Sequence, residues 1–465
     1  MKNKMKKIIS ITLVACLVAG VMSGCGGKKD DIPEGKTKIS VWGWPDENAE
    51  PKKYASSQKD AADFMEQNPD IIVEGDQYKF EVDSFSVKAE GGALPTLYNT
   101  HFTECENIAK LGYAKPITEL LKSNGYYDKF NDYIIDLVSY DGDVYYFPKS
   151  VYTLGIIANL EIFEKAGLIN EDGTPVVPQN WDELAEMAKT IKEKTGIPGF
   201  VMPTTTNVGG WLFTPVAWSY GVKFMEENNG KWTASFDTKE CVDSFELLKK
   251  MKWEYDAMPA ETLIDAEGAV KLIGTGQAAM TIGHPDMAKG LPNYGFDINS
   301  IGMFKMPAGP VKRVTLLGGT IEAIASNATD AQAEAVLKWL EFKGYTPNLN
   351  DERKSRIEEN YKLDVADGKL IGIIDSSIWN DKTDRDQYVF EMIEKYRNVD
   401  IKNLASYNDK SGIEYQTEEP KCTQELYSIL DSCIQEVLTN KDADIEKLLE
   451  KAASDFQNNS LDYAE

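Results

Sequence analysis

Short strand-like runs alternate along this chain with stretches that have the periodicity of amphipathic helices. Residues 38–44 alternate between apolar and polar side chains, and residues 54–67 have a helical pattern that ends at Asn68-Pro69. Further strands are predicted at residues 79–82, 94–98, 144–148, 200–202 and 278–282, and further helices at residues 107–111, 267–273, 423–438 and 445–456. Strands and helices in alternation are typical of a largely parallel sheet covered by helices, so the predicted fold class is α/β. At 465 residues the chain is too long for a single core and suits two packed lobes.

The N-terminal segment resembles the signal peptide of a bacterial lipoprotein. Four lysines precede an apolar run at residues 8–22, which is shorter than the roughly 20 residues of a membrane-spanning helix. Ser23-Gly24-Cys25 follows, and this ending resembles the lipobox, in which the cysteine receives a diacylglycerol. We therefore expect a lipoprotein signal peptide at residues 1–24, lipidation at Cys25 and a flexible tether at residues 25–36. The alternative is a plain secretory signal with an incidental cysteine.

The acidic composition argues against several classes of partner. Fifty basic against 75 acidic residues give a net charge of −25, which repels nucleic acid and anionic lipid headgroups and disfavours a highly anionic ligand. We attribute most of the acidity to solubility. Beyond Cys25, the chain has Cys105, Cys241, Cys422 and Cys433, without CxxC or metal-type spacing, so we expect mostly free, buried thiols.

Signatures of enzymes and metal sites are weak in this sequence. The chain has no GxSxG, HExxH or GxxxxGK(S/T) motif. Residues 274–279 match GxGxxA, but a predicted helix precedes them and a strand follows, the reverse of a dinucleotide-binding turn. His101 and Cys105 stand four residues apart without a third ligand at metal spacing. We therefore expect no catalytic residue, no metal and no cofactor, although residue types alone leave a glycosidase pair of carboxylates open.

Six short motifs occur in a fixed order between residues 38 and 345. They are Val-Trp-Gly-Trp at 41–44, Leu-Pro through Pro-Ile-Thr at 94–118, Asp-Gly through Phe-Pro at 141–148, Asn-Leu through Ala-Gly-Leu at 159–168, Pro-Gln-Asn-Trp-Asp-Glu-Leu at 178–184 and Gly-Gln-Ala-Ala-Met at 276–280. Together they resemble the extracellular solute-binding proteins of family 1, the maltodextrin-binding-like lipoproteins of carbohydrate ABC importers. Thr96 stands where that family has Asp, and Ala158 stands where it has Tyr.

The resemblance implies a two-lobe fold of the periplasmic-binding-protein type II, with the ligand cleft between the lobes. The implied units are an N-lobe at 37–149 to which 305–345 return, a C-lobe at 150–304, and a variable insertion with C-terminal helices at 346–465 that packs mainly on the C-lobe. Two or three crossovers near 149–152 and 301–320 would join the lobes. Gly318-Gly319 would allow a close backbone approach there, although an ordinary turn at a strand end is the alternative.

The resemblance also implies a function. Proteins of this kind are monomeric, are not enzymes, bind an oligosaccharide and deliver it to the permease subunits of an ABC transporter. The lipid on Cys25 would hold this one on the outer face of the bacterial cytoplasmic membrane. The alternative from another class is an exported glycoside hydrolase or lyase.

Aromatic and polar side chains follow several of the predicted strands, where open α/β sheets bind their ligands. Sugars present apolar faces and a rim of hydroxyl groups, so this mixture suits them. The predicted ligand-binding residues are Trp44, Asp46, Asn99, Thr100, His101, Glu104, Lys149, Tyr152, Asn207, Trp211, His284 and Asp286. Trp44, Tyr152 and Trp211 are expected to stack on sugar rings, with Trp211 on a polar loop after two glycines; a core position is the alternative for Trp211. Glu418 and Glu419 are further candidates for the cleft.

Overall fold

The computed structural model describes residues 33–374, 376–380 and 383–464, and these residues form two lobes. One hydrophobic core, in the N-lobe, includes Ile39, Tyr98 and Ile321, whereas a second, in the C-lobe, includes Phe163 and Leu430. A smaller apolar cluster adds to the C-lobe. The predicted signal peptide, Cys25 and most of the tether lie outside the described residues.

The strands of the two lobes are short. In chain order they are β1 (Thr37–Val41), β2 (Ile71–Gly75), β3 (Leu97–Thr100), β4 (Ser139–Tyr140), β5 (Asp143–Val144), β6 (Tyr146–Thr153), β7 (Gly155–Asn159), β8 (Met225–Asn228), β9 (Lys231–Ala234), β10 (Met280–Gly283), β11 (Ile301–Lys305), β12 (Val314–Ile324) and β13 (Glu414–Gln416).

Helices cover the sheets and form the C-terminal part of the chain. They are α1 (Pro51–Gln67), α2 (Val82–Glu90), α3 (Cys105–Lys110), α4 (Thr118–Ser123), α5 (Asp132–Leu137), α6 (Leu160–Ala166), α7 (Trp181–Thr195), α8 (Val208–Tyr220), α9 (Lys239–Lys249), α10 (Ala266–Gly274), α11 (Pro285–Lys289), α12 (Asp330–Phe342), α13 (Asp351–Ala366), α14 (Arg385–Tyr396), α15 (Ala405–Asn408), α16 (Thr423–Thr439) and α17 (Ile445–Asn459).

The N-lobe is built on a sheet in the order β13-β12-β3-β1-β2, with β6 pairing β12. β1 runs parallel to β2 and β3, whereas β12 is antiparallel to β3 and β6. The C-lobe sheet has the order β10-β7-β11 and is antiparallel. The predicted α/β class is therefore confirmed, but the parallel part is smaller than expected because β12 enters the N-lobe sheet in the opposite direction.

Two predicted strands are wrong in the described structure. α2 already begins at Val82, so residues 79–82 are a connection rather than a strand. Residues 200–202 form no strand, although the N–H of Val201 donates to the carbonyl of Met280 at 2.9 Å. Phe80 and Phe200 are both buried. The apolar pattern of these two segments therefore reflects the burial of side chains in a connection rather than membership of a β-strand.

Helix α7 begins where its sequence predicts. The Oδ1 atom of Asn180 accepts a hydrogen bond from the N–H of Glu183 at 2.9 Å, which is an N-cap. Trp181 directly after it is buried, and its indole N–H donates to Ser219 Oγ at 3.0 Å. The motif at 178–184 thus fixes a helix end and fills the C-lobe core.

The described chain passes between the two lobes at five places. The first lies between β6, which pairs with β12, and β7, which belongs to the C-lobe sheet. The second lies within β12, since Leu316 packs in the C-lobe core and Leu317 packs in the N-lobe core. The other three follow α12. The chain passes from Leu340 in the N-lobe core to Leu370 in the C-lobe cluster, returns between Ile373 and Ile378, and leaves again between Trp379 and Val399.

The segment after residue 346 contacts both lobes. Arg353 forms an ion pair with Glu341 at 3.2 Å, and the ring of Trp379 stacks on Phe130 with centroids 4.5 Å apart. Burial of that large indole anchors the insertion on the N-lobe. Leu370, Ile373 and Val399 of the same segment pack in the C-lobe cluster, and the later part, which includes α16 and α17, packs on the C-lobe core.

The cysteines agree with the sequence-based expectation. Within the described residues, Cys105, Cys241, Cys422 and Cys433 are free, and all but the half-buried Cys422 are buried. None of the helices described here has the length and apolar character needed to cross a membrane.

Helix α8 is pressed against α16 through two glycines. A Cβ on Gly210 would lie 2.3 Å from the carbonyl oxygen of Tyr427, and one on Gly209 would lie 2.5 Å from the carbonyl oxygen of Pro203. The buried carboxylate of Asp431 on α16 accepts hydrogen bonds from the N–H groups of Asn207 and Gly210, both at 2.7 Å. A carboxylate at the positive end of a helix is favourable, so this contact fixes the start of α8.

Gly210→Ala is expected to lower the free energy of unfolding by about 1–3 kcal/mol, because the new methyl group meets backbone that cannot move aside. Gly268→Ala is the matched control. Gly268 is also the third residue of its helix, and its N–H also donates to a carboxylate, Asp265 Oδ1 at 2.7 Å. Its nearest neighbours are side-chain atoms at 3.1 and 3.2 Å, so the control should lose little or gain up to about 1 kcal/mol. Urea unfolding measures both variants, and equal effects would contradict the packing described.

Candidate functional site

A cavity of about 280 Å³ lies between the lobes. Its walls come from three parts of the chain that are distant in sequence: the strand pair β6–β12, the C-lobe segments around residues 206–211 and 284–287, and residues 418–427 before and within α16. His101 and Phe102 contribute from the N-lobe. This volume lies just below the range of about 300–1,000 Å³ that is usual for ligand pockets.

Three of the predicted residues form one aromatic cluster in this cleft. The rings of Tyr152 and His284 stack with centroids 4.7 Å apart and an interplanar angle of 24°. Trp211 lies edge-on to both, with centroids 6.5 Å from Tyr152 and 5.8 Å from His284. Tyr152 comes from a strand that joins the lobes, whereas Trp211 and His284 come from the C-lobe, so the cluster is built from both sides of the first crossing.

The predicted loop around Trp211 is wrong, because this residue lies in the first turn of α8. The glycines before it allow a close helix contact rather than a flexible loop. Trp211 is half-buried and packs partly against the C-lobe core. It therefore combines the site position and the core position that the sequence left as alternatives.

Gly318 and Gly319 form the floor of the cleft in the middle of β12, not at a strand end. A Cβ on Gly318 would lie 2.7 Å from the ring of Tyr152. One on Gly319 would lie 2.3 Å from the carbonyl oxygen of Ser150 and 2.5 Å from the ring of Phe102. The two glycines therefore let the rings lie directly on the backbone where the lobes join.

Polar side chains link the lobes along one edge of the cleft. Asn207 Nδ2 donates to Gln424 Oε1 at 3.2 Å, and Gln424 Nε2 donates to Thr103 Oγ1 at 3.3 Å. Nearby, Lys421 Nζ donates to Glu106 Oε1 at 2.6 Å. Thr103 and Glu106 belong to the N-lobe, so these bonds hold the two lobes together without a ligand.

Glu418 supplies a carboxyl group to the cleft. Tyr427 Oη donates to its Oε1 atom at 3.0 Å. Burial raises the pKa of Glu418 to about 7, although the hydrogen bonds from Tyr427 and Trp211 act in the opposite direction. Burial also raises the pKa of Glu104, whose charge acts on Glu418 in turn. With a pKa of about 7, the carboxyl group of Glu418 gains or loses its proton near neutral pH.

His284 is neutral at physiological pH. Burial lowers its pKa to about 4, and the charge of Asp286 only partly opposes this. Its Nδ1 atom is buried without a hydrogen-bond partner in the described structure. A neutral imidazole can donate from one nitrogen and accept at the other, which suits a hydroxyl group.

The other predicted residues lie outside this cavity. Asp46 accepts from the N–H groups of Asn48 and Ala49, both at 2.9 Å, and Asn99 accepts from the N–H of Phe80 at 3.3 Å. Thr100 is buried, Glu104 is half-buried, and the exposed Asp286 pairs with Lys289 at 3.1 Å. Trp44 and Lys149 line a separate cavity in the N-lobe. Of the twelve predicted positions, the cleft thus collects only His101, Tyr152, Asn207, Trp211 and His284.

Sequence reasoning missed several residues of the cleft. They are Phe102, Thr206, Val208, Ala266, Met287, Gln424 and Tyr427. Gln424 and Tyr427 lie on the buried and half-buried positions of an ordinary amphipathic helix, so no local signal marks them. Among residues 33–374, 376–380 and 383–464, no group of three or more His, Cys, Asp or Glu side chains could hold a metal ion.

The family comparison decides what kind of two-lobe protein this is. The model of the bacterial extracellular solute-binding protein family matches residues 48–346, well over half of the chain. The chain belongs to this family. The resemblance drawn from the six motifs is thereby confirmed, and the matched range contains the strand pair and the aromatic cluster of the cleft.

The curated relatives that match this chain are distant in sequence. The sn-glycerol-3-phosphate-binding periplasmic protein UgpB of Agrobacterium fabrum is 26% identical over 256 residues, which cover 50% of this chain and 53% of the relative. The polygalacturonan/rhamnogalacturonan-binding protein YtcQ of Bacillus subtilis is 23% identical over 370 residues, 73% of this chain and 69% of the relative. The chain thus spans about half the length of the first of these relatives.

Solved structures of the family superpose over nearly the whole chain. An ABC transporter solute-binding protein from Thermotoga lettingae, bound with alpha-D-tagatose, has a TM-score of 0.67 at 18% identity and covers 91% of this chain and 99% of its own. The substrate-binding protein Lmo0181 from Listeria monocytogenes, in complex with cycloalternan, has a TM-score of 0.66 at 18% identity with the same coverage. These likenesses confirm the two-lobe fold.

Glu418 makes the stability of the protein depend on pH. Its folded pKa of about 7 lies above the value of about 4.3 for an unfolded glutamate, so between these values the folded state binds the extra proton. The free energy of unfolding should therefore fall as pH rises from about 4.5 to 7, by up to about 1.4 kcal/mol per pH unit. Glu418→Gln should flatten this slope in thermal melts between pH 4.5 and 8.

Two companions complete this measurement. Glu419 also has a pKa raised to about 7 by burial, so Glu419→Gln should flatten the slope in the same way. Glu240→Gln, on an exposed position in the first turn of α9, is the control and should keep the wild-type slope. A Glu418→Gln curve parallel to wild type would contradict a buried, titrating carboxyl in the cleft.

Proposed function

We propose that this protein is a non-catalytic receptor that binds a neutral oligosaccharide in its interlobe cleft and delivers it to the permease of an ABC importer. The single observation that supports this most is the cluster of Tyr152, Trp211 and His284 above the glycine floor of β12. Its oligosaccharide class is suggested by relatives and neighbours whose names include a galacturonan and cycloalternan.

The chemistry of the cleft suits a sugar. The apolar C–H face of a pyranose ring packs on an aromatic side chain, and its hydroxyl groups need partners that both donate and accept. Trp211 offers the largest ring at the cavity. Asn207, Gln424 and neutral His284 are groups that both donate and accept, so they can bind hydroxyl groups without charge.

The charge of the cleft favours a neutral ligand. Among the described residues that line it there is no lysine or arginine, and Glu418 adds a carboxyl group. A phosphate or uronate would meet that carboxyl without a compensating cation, which is costly in a desolvated site. In this respect the cleft differs from what the names of the glycerol-phosphate-binding and polygalacturonan-binding relatives suggest for theirs.

The lobes would close over the ligand. A sugar that contacts Trp211 of the C-lobe and His101 of the N-lobe binds the closed form better, and closure is driven only by that difference in affinity. The permease would then recognise the closed arrangement of the two lobes. The proposed N-lobe is 37–149 with 305–345, in which the returning strand enters the N-lobe core at Leu317, and the proposed C-lobe is 150–304.

Trp211→Ala is expected to weaken oligosaccharide binding about 30-fold, because aromatic anchors typically contribute about 2 kcal/mol or more. Trp211 is half-buried and touches the core, so a moderate fall in melting temperature should accompany the loss. Calorimetric titration with a panel of neutral and uronate oligosaccharides and glycerol 3-phosphate measures the affinities. Neutral sugars should bind more tightly than the anionic ligands.

Trp253→Ala is the matched control for this titration. Trp253 is also half-buried, its indole N–H donates to the carbonyl of Val437 at 2.9 Å, and it lies away from the cleft lining. This variant should lose stability but keep its affinity. Preference for the anionic ligands would overturn the proposed ligand class, and cleavage of a bound oligosaccharide would favour a hydrolase or lyase instead.

We also propose that Cys25 anchors the protein to the outer face of the cytoplasmic membrane. Cys25→Ala should leave uncleaved precursor or release the protein from the membrane, because the lipid acceptor is gone. Cys16→Ala, within the apolar run of the signal, should change nothing. Fractionation of cells with an immunoblot reads out both variants, and normal membrane retention of Cys25→Ala would refute the anchor.

A further inference from the structure

A second cavity, of about 180 Å³, lies in the N-lobe at the carboxyl end of β1. Its aromatic walls are Trp42, Trp44 and Tyr345, and Ser57 of α1 closes one side. Trp44 is positioned by a close contact with the backbone, since a Cβ on Gly75 would fall 1.9 Å from its ring. The cavity is smaller than typical ligand pockets, so it has room for little more than one sugar residue.

The side chain of Glu322 on β12 lines this cavity. Only one of its two carboxylate oxygens has hydrogen-bond partners in the described structure. It is 3% exposed, and its Oε1 atom accepts hydrogen bonds from Trp42 Nε1 at 2.8 Å and Lys149 Nζ at 3.2 Å. Its Oε2 atom is buried and has no hydrogen-bond partner within the described residues. A buried acceptor without a donor costs about 1–3 kcal/mol, so this oxygen favours a ligand that donates an O–H or N–H group.

Lys149 holds the carboxylate in place. It is the extra residue of an irregularity in the β6–β12 pairing, where Ser150 faces Thr320 and Pro148 faces Ile321. Its Nζ atom lies 5.2 Å from the ring centre of Trp42 and 4.8 Å from that of Tyr345. Although burial acts to lower it, the charge of Glu322 raises the pKa of Lys149 above its usual range, so the ammonium group of Lys149 stays charged.

The cavity and the cleft lie on the same two strands. Glu322 is three residues from Gly319 on β12, and Lys149 is three residues from Tyr152 on β6. At about 3.3 Å per residue the separation along the strands is about 10 Å. One elongated ligand can therefore reach both places.

We propose that the N-lobe cavity is a second sugar subsite, in which the end residue of a neutral oligosaccharide packs against Trp44 and donates a hydroxyl group to Glu322 Oε2. This inference rests on the proposed function, because the remaining sugar residues lie in the interlobe cleft.

The subsite makes affinity depend on the length of the ligand. The probes are three pairs of neutral oligosaccharides: maltose and maltohexaose, galactobiose and galactohexaose, and arabinobiose and arabinohexaose. Trp44→Ala should weaken binding of the hexasaccharide that wild type prefers by about tenfold or more and leave the matching disaccharide unchanged. Trp211→Ala should weaken both members of that pair, because both occupy the cleft.

A cavity-filling variant and its control test the subsite independently, in case Trp44→Ala does not fold. Ser57→Phe places a ring in the cavity and leaves the Lys149–Glu322 ion pair intact, so it should repeat the selective loss for the hexasaccharide. Ser56→Phe, on the exposed neighbouring position of α1, is the control and should bind like wild type.

The outcomes separate this inference from the function on which it rests. Equal affinity of wild type and Ser57→Phe for the hexasaccharide would overturn the subsite while leaving the cleft receptor intact. Equal losses for both lengths in Ser57→Phe would also overturn it. Binding of none of the three series to wild type would instead refute the proposed function.

Discussion

The antiparallel pairing of β6 with β12 is the contact on which the rest of the molecule depends. β12 carries one continuous backbone from the C-lobe core into the N-lobe core, and β6 lies against it before the chain enters the C-lobe. The aromatic floor of the cleft exists because Gly318 and Gly319 have no side chains at the point where the rings of Tyr152 and Phe102 contact the strand. Side chains there would force the two strands and both lobes apart, so the site and the junction of the lobes are one structure.

The second determinant is the contact between α8 and α16. Asp431 binds the N–H groups at the start of α8, and Gly210 lets that start touch the backbone of Tyr427. Trp211 follows directly, so its ring is aimed by a helix–helix contact rather than by a loop. The same α16 carries Gln424 and Tyr427 into the cleft. C-terminal helices that a sequence reading treats as peripheral packing therefore build one wall of the site.

The sequence correctly predicted those helices and strands whose formation depends mainly on residues that are neighbours in the chain. β1, α1 and the cap at Asn180 follow from alternation, helical periodicity and a side chain suited to a helix start. Residues 79–82 and 200–202 have the same apolar pattern as strands, but a strand needs a neighbour to pair with, and no local signal supplies one. The Gly-Gly before Trp211 has two physical uses, a flexible loop or a close helix contact, and only the position of Tyr427 decides between them. Glu418 and Trp211 line the same cleft, although about two hundred residues separate them along the chain. No local pattern in a single sequence indicates such a contact.

Five connections of the described chain between the lobes restrict how they can move. A single linker would leave one lobe free to twist, slide and tilt against the other. The connections at β6–β7, within β12 and at three places between Leu340 and Val399 each remove some of that freedom. Because β6 and β12 cross between the lobes side by side, we expect the remaining motion to be chiefly a bend at these two strands. The Thr103–Gln424–Asn207 hydrogen bonds also join the two lobes. Because a bend that parts the lobes would have to break them, we expect substitutions of these side chains to shift the proposed open–closed equilibrium.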